Sequence, residues 1–115
     1  MIEKIKILMI DDHPMIIEGY QNTIQFTKKD NQELEIDIAN NCDEAVAFMN
    51  KSVEKEMPYN VLFVDISLPP STDGAMSSGE DLAEYARKTL PDAKIIILTM
   101  FNESYRIHSI VKEIN

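Results

Sequence analysis

The stretch IKILMIDDHPMIIEG, residues 5–19, decides the fold. An apolar run reads as a buried strand and then stops on two adjacent carboxylates, Asp11 and Asp12. Pro14 follows at once, a residue suited to the first turn of a helix. Ile16, Tyr20 and Ile24 recur beyond it at helical spacing. The unit is therefore strand, acid pair, helix. Two like charges side by side repel, so their position at a strand end needs a reason, and the rest of the chain supplies one.

Working outward, the same grammar repeats. ELEIDIA (33–39) alternates, with Leu34, Ile36 and Ile38 on one face of a half-covered strand. Asn41 with Glu44 forms a capping box for a helix through Ala45, Val46, Phe48 and Met49, which Pro58 closes. NVLFVDI (60–66) is a continuous apolar strand ending on Asp65. After a loop rich in Pro, Ser and Gly, either Ser77 with Glu80 or Ser78 with Asp81 caps GEDLAEYARKTL. That helix is acidic at its start and basic at its end, as the helix dipole prefers. AKIIILT (93–99) is a third buried-looking strand ending on Thr99, and NESYRIHSIVKEI (102–114) reads as a last helix with Ile107, Ile110, Val111 and Ile114 inward.

Strands that alternate with helices and are apolar along their length make an α/β protein with a parallel sheet covered on both faces. Ligands of such sheets bind at the carboxyl ends of the strands. Asp11, Asp12, Asp65 and Thr99 all stand at those ends, so four polar side chains converge on one edge.

Bulk properties exclude several function classes. The 115 residues suffice for one domain with one core. A net charge of -9 opposes direct binding to a nucleic-acid backbone or an anionic membrane surface. No apolar run approaches the roughly 20 residues of a membrane span, and the N-terminus lacks a signal-peptide pattern. A single cysteine, Cys42, permits no internal disulfide and fits a reducing cytoplasm. Without a nearby cationic partner in sequence, Cys42 reads as inert packing. His13 and His108 read as isolated surface or packing residues, and the seven methionines as core filler.

Three carboxylates drawn together require either a proton or a cation. An oxygen-only ligand set selects a hard ion, Mg²⁺ in preference to zinc. Magnesium keeps waters and accepts phosphate oxygens, which points to phosphoryl chemistry. An Asp beside it can act as a nucleophile and form an aspartyl phosphate. Thr99 would then offer a hydroxyl to the new phosphoryl group.

These residues resemble a known family. MIDDHP for the acidic pair, LFVDISLPP for the acceptor and IIILTM for a switch hydroxyl are similar to the motifs of two-component response regulator receiver domains. DDHPMIIEG looks like receivers that precede a helix-turn-helix DNA-binding domain. The resemblance implies a flavodoxin-like, doubly wound sheet. It implies that Asp65 accepts a phosphoryl group from a sensor histidine kinase or phosphotransfer protein. Asp12, Asp65 and the Ser67 backbone carbonyl would bind Mg²⁺ directly, and Asp11 through water. Thr99 would move toward the phosphoryl group, switching the face around the fourth helix and so controlling transcription through an output domain. The implied chemistry is partly self-catalysed, and such a domain reads as a phosphorylated switch. Ser67 and Phe101, which carry no carboxylate or amide to orient water, imply slow self-dephosphorylation.

Two departures from the family pattern stand out. Gly79 fits the glycine that opens the helix after the acceptor loop, leaving about six extra residues in the 70–78 segment; Gly74 is the competing alignment. The family's fifth strand, active-site lysine and fifth helix would lie beyond Asn115. The expectation is thus one receiver domain, residues 1–115, truncated after its fourth strand and fourth helix. Lys94 sits at the wrong end of its strand and Lys112 late in a helix, so neither replaces that lysine. The strand 95–98 would become an exposed apolar edge, which favours self-association. The alternatives are a pseudo-receiver that binds partners without phosphorylation and a Mg²⁺-dependent phosphatase. Phosphatases of that kind separate two acids by one residue, whereas Asp11 and Asp12 are adjacent.

Overall fold

The structure, a computed structural model, describes residues 2–76, 78–100 and 109–114. The order of elements is β1 (Glu3–Ile10), α1 (Pro14–Thr27), β2 (Gln32–Ala39), α2 (Cys42–Glu54), β3 (Val61–Asp65), α3 (Gly79–Thr89), β4 (Lys94–Met100) and β5 (Ser109–Ile114). They form one sheet in the order β2-β1-β3-β4-β5, whose first four strands are parallel. This is the flavodoxin-like order, and β1 and β3 lie side by side at its centre.

The two faces of the sheet are covered unequally. On one, Leu8, Ile10, Leu62, Val64, Ile95 and Ile97 pack with residues of α2 and α3, among them Ala45, Met49, Leu82 and Ala86, in the larger core cluster. On the other, Ile7, Met9 and Ile17 of α1 form a smaller cluster, joined by half-buried Tyr20, Ile24, Leu34, Ile36, Ile38 and Phe63. Ile17, rather than Ile16, is the buried anchor of α1. Met9 and Met49 serve as core filler, as expected, but Met15 and Met57 face solvent.

The caps follow from sequence. The Asn41 side chain accepts from the Glu44 N–H at 2.8 Å, while Glu44 reaches back to the Asn40 N–H at 2.8 Å. Ser78 caps α3 by accepting from the Glu80 N–H at 3.2 Å. Gly79 opens that helix because a Cβ there would lie 2.0 Å from the Asp65 carbonyl oxygen. Gly74 instead occupies a turn at φ +74°. The glycine that packs against the end of β3 is therefore Gly79, and Gly74 lies in the loop before it.

The C-terminal expectation needs correction. Ser109–Ile114 is not the end of a helix but a strand, antiparallel to β4, with Leu98 opposite Val111 and Thr99 opposite Ile110. Residues 102–108 of the expected helix lie outside the described residues. Ile110, Val111 and Ile114 satisfy a helical spacing, but β-branched residues suit a pleated surface better. The unpaired backbone groups of β4 supply the missing partner. The edge expected to be open at 95–98 is therefore covered within the chain. Lys112 lies on this strand opposite Ile97 rather than late in a helix.

Candidate functional site

The carboxyl ends of β1 and β3 carry the site. Asp11 follows the last residue of β1, and its N–H donates to the Ala39 carbonyl at 3.0 Å, which extends the sheet pairing by one residue. The Asn40 side chain donates to the Asp11 carbonyl at 3.1 Å, fixing the turn from below. Asp65 is the last residue of β3, and the next N–H, from Ile66, donates to the Leu98 carbonyl at 3.0 Å. Strand pairing thus extends to both acids. Asp11 is 4% and Asp65 1% exposed, so two carboxylates are held in the protein interior. Asp12 stands beside them at the surface.

One oxygen of Asp65 is accounted for. Its Oδ1 accepts from the Ser67 N–H at 3.0 Å and from the Ser67 hydroxyl at 2.8 Å. Its Oδ2 is buried with no hydrogen-bond partner. An unsatisfied buried polar atom costs about 1–3 kcal/mol, and more when charged. That oxygen is aimed at the shared space of the acidic group, where a cation would satisfy it. Asp11, Asp12, His13 and Asp65 each place a donor atom within 4.8 Å of the others.

His13 was not expected in this group. Its Nδ1 lies 2.7 Å from Asp11 Oδ1, 3.0 Å from Asp12 Oδ1 and 3.7 Å from Asp65 Oδ2. Read as isolated from sequence, it belongs to the site because it occupies the N-cap position of α1, directly after the acid pair. The signal was the DDH run itself, in which a turn folds the third residue back over the first. The His13 N–H also donates to Asp11 Oδ1, at 2.9 Å. The hydrogen bond to Asp11 holds the imidazole above its ordinary pKa, with the Asp12, Asp11 and Asp65 charges acting in the same direction. Burial pushes the Asp11 carboxyl up, and the charge of Asp65 adds to that rise, although the His13 hydrogen bonds oppose it.

The remaining expected positions are placed as follows. Thr99 is on β4, one residue beyond Leu98, which is level with Asp65; its side chain lies outside the described residues, as does Phe101. Lys94 is level with Val61, four residues or about 13 Å along the strand from the site at roughly 3.3 Å per residue. Cys42 is fully buried, its thiol pushed up chiefly by that burial, as an inert packing residue should be. The 70–78 loop is tied down beside the site. The Thr72 hydroxyl and N–H both donate to Asp43 Oδ2 in the first turn of α2. Within the loop, the Ser71 N–H donates to the Met76 carbonyl at 2.8 Å and the Met76 N–H to the Ser71 hydroxyl at 3.0 Å.

A family model, the response regulator receiver domain, matches residues 7–115. The chain belongs to the response regulator receiver domain family. Curated relatives agree. The chain is 32% identical over 104 residues to the oxygen regulatory protein NreC of Staphylococcus carnosus, covering 90% of this chain and 42% of that protein. NreC of Staphylococcus epidermidis is 30% identical with the same coverage. This receiver therefore spans less than half the length of the curated relatives it matches.

Among solved structures, the bacteriophytochrome response regulator AtBRR superposes with a TM-score of 0.66 at 18% identity, covering 90% of this chain and 71% of that one. The RcsB response regulator of Salmonella typhimurium superposes at 0.61 and 23% identity, covering 86% of this chain and 45% of that one. At these identities the likeness shows the receiver fold. RcsB has also been solved bound to promoter DNA in the presence of a phosphomimetic. Among the described residues, no helix is long and apolar enough to cross a membrane.

Proposed function

We propose that this receiver is the phospho-accepting switch of a two-component system, with Asp65 as the acceptor. The observation that carries this reading is the buried Asp65 carboxylate, one oxygen held by Ser67 and the other without a hydrogen bond, in the group completed by Asp11, Asp12 and His13. In the transfer, the Asp65 carboxylate attacks the phosphorus of a kinase phosphohistidine. A P–O bond forms as the P–N bond breaks, and the imidazole nitrogen leaves with the electron pair. Ser67 holds the acceptor carboxylate in place. Thr99, at the end of the neighbouring strand, is the hydroxyl assigned to the product.

The donor set fits a divalent cation. Asp12, Asp65 and the Ser67 carbonyl would hold Mg²⁺, with Asp11 supporting it through water. When bound, such an ion neutralises charge building on the phosphoryl oxygens. We assign residues 1–115 to the receiver part of a longer regulator whose DNA-binding output domain acts on transcription. That output assignment rests on the longer relatives. The partner that delivers phosphate is a histidine kinase or a phosphotransfer protein.

The test is intact-mass spectrometry after incubation with acetyl phosphate and Mg²⁺, on this chain and on one continued to the length of its relatives. A single, persistent acyl phosphate that Asp65→Asn abolishes supports the reading. A folded protein that takes no phosphate in either length contradicts it and favours a binding module that works without phosphorylation. Continuous turnover of a phosphomonoester would instead indicate a phosphatase.

A further inference from the structure

We propose that a cavity at the edge of the sheet opposite the acidic pocket binds a small aliphatic diamine, an organic cation held by a carboxylate at each end. The cavity measures about 480 Å³ and lies between the ends of α2 and α3 and the starts of β3 and β4. Small-molecule sites are concave, mostly apolar and furnished with a few polar groups, and this one has that make-up. Val53, Pro58, Leu90 and Pro91 give it apolar walls. Among the described residues, the charged groups lining it are Glu56 and Asp92, and no Lys or Arg reaches it. Neither carboxylate has a hydrogen bond or an ion pair among those residues. They come from different elements, Glu56 from the turn after α2 and Asp92 from the turn after α3. One ammonium group would meet each acid, and the methylenes between them would meet the apolar walls.

The helices add to the preference for a cation. Val53 and Thr89, in the last turns of α2 and α3, both line the cavity, and a helix C-terminus carries a partial negative charge. A second observation is independent of charge. Glu56 has φ +58°, in the left-handed region that glycine or asparagine usually fills at a helix end. Its side chain is exposed and unbonded, so the fold itself makes no use of the glutamate. The backbone strain is thus kept at a residue that supplies one of the two carboxylates, and such strain collects at ligand-binding sites. This is a site separate from the acidic pocket. Asn60 lines the cavity and Asp65 ends β3, five residues or about 16 Å along the chain at roughly 3.3 Å per residue.

The test is titration calorimetry of the full chain with putrescine, cadaverine and hexamethylenediamine, with pentylamine as the singly charged control. Salt at about 0.15 M screens general attraction to the acidic surface. One of the diamines should bind with one-to-one stoichiometry and pentylamine at least tenfold more weakly. Affinity should fall tenfold or more in Glu56→Gln and in Asp92→Asn, while Glu33→Gln, at an exposed acid outside the cavity, changes it less than twofold. Both cavity acids are exposed, so the variants should fold; circular dichroism checks this. Glu56→Gly should also lose the ligand, yet leave the urea midpoint level or higher, because glycine adopts the left-handed φ without strain. A lower midpoint would show that the glutamate is kept for stability and would overturn the proposal. Equal losses in all the variants, a monoamine that binds as tightly as the diamines, or no saturable binding to the folded chain would overturn it as well.

Discussion

Each carboxylate of the pocket is held differently, and the differences set what a substitution should do. His13 is stabilised in its charged form by Asp11 in the folded state. A native pKa above the unfolded value means that the folded chain binds the proton more tightly. The stabilisation is then complete below about pH 6.5, the unfolded histidine value, and is lost as pH rises through the higher folded value. In metal-free buffer, the urea midpoint of the native chain relative to His13→Asn should be higher at pH 6 than at pH 8.5. A difference that is flat across that range would contradict the placement of Nδ1. Gly79 is equally specific. A Cβ there meets the Asp65 carbonyl oxygen at 2.0 Å and backbone atoms of Asp65 and Ile66 at 2.8 Å. Gly79→Ala should cost about 3 kcal/mol in urea unfolding, and a loss under about 0.5 kcal/mol would show that α3 can shift freely. At this scale the acids were legible because strand ends are legible. His13 was not, because its membership depends on the turn that brings Nδ1 back to Asp11, which no periodicity encodes.

At the scale of elements, caps and registers do the positioning. Asn41 starts α2 where the sequence marked it, and the first turn of that helix also carries Asp43, which anchors the 70–78 loop through Thr72. Asp43→Ala should leave α2 intact, since Asn41 still caps it. It should release residues 70–78, measured as faster protease cleavage within the loop with little change in global stability; unchanged cleavage would mean that the loop's internal bonds suffice. The helices α1, α2 and α3 could be read from sequence because each has a start signal and a 3.6-residue period. Residues 109–114 could not. Ile107, Ile110, Val111 and Ile114 fit a helical stripe, and only the open flank of β4 favours a strand for the last six of that segment. The competing signals were local, and a long-range pairing decided between them.

Across the whole molecule, the sheet order puts β1 beside β3 and so brings Asp11 and Asp12 to Asp65 from over fifty residues away in sequence. Alternation of strand and helix was enough to foresee that convergence, because parallel strands in one sheet end at the same edge. The sheet's flank was the part that sequence reading misjudged. With β5 in place, β4 is interior and the apolar run Ile95–Leu98 has no open edge. We expect the chain to sediment as a monomer and Val111→Pro, which weakens β5 pairing, to associate with itself. A variant that stays monomeric would mean that β5 does not protect β4. The proposed switch depends on Asp65 being the residue that carries phosphate. Borohydride reduction of the acetyl phosphate-treated chain, followed by peptide sequencing in the mass spectrometer, reads this directly. We expect homoserine at position 65 and none at 11 or 12; homoserine at Asp11 or Asp12 with Asp65 unmodified would contradict it.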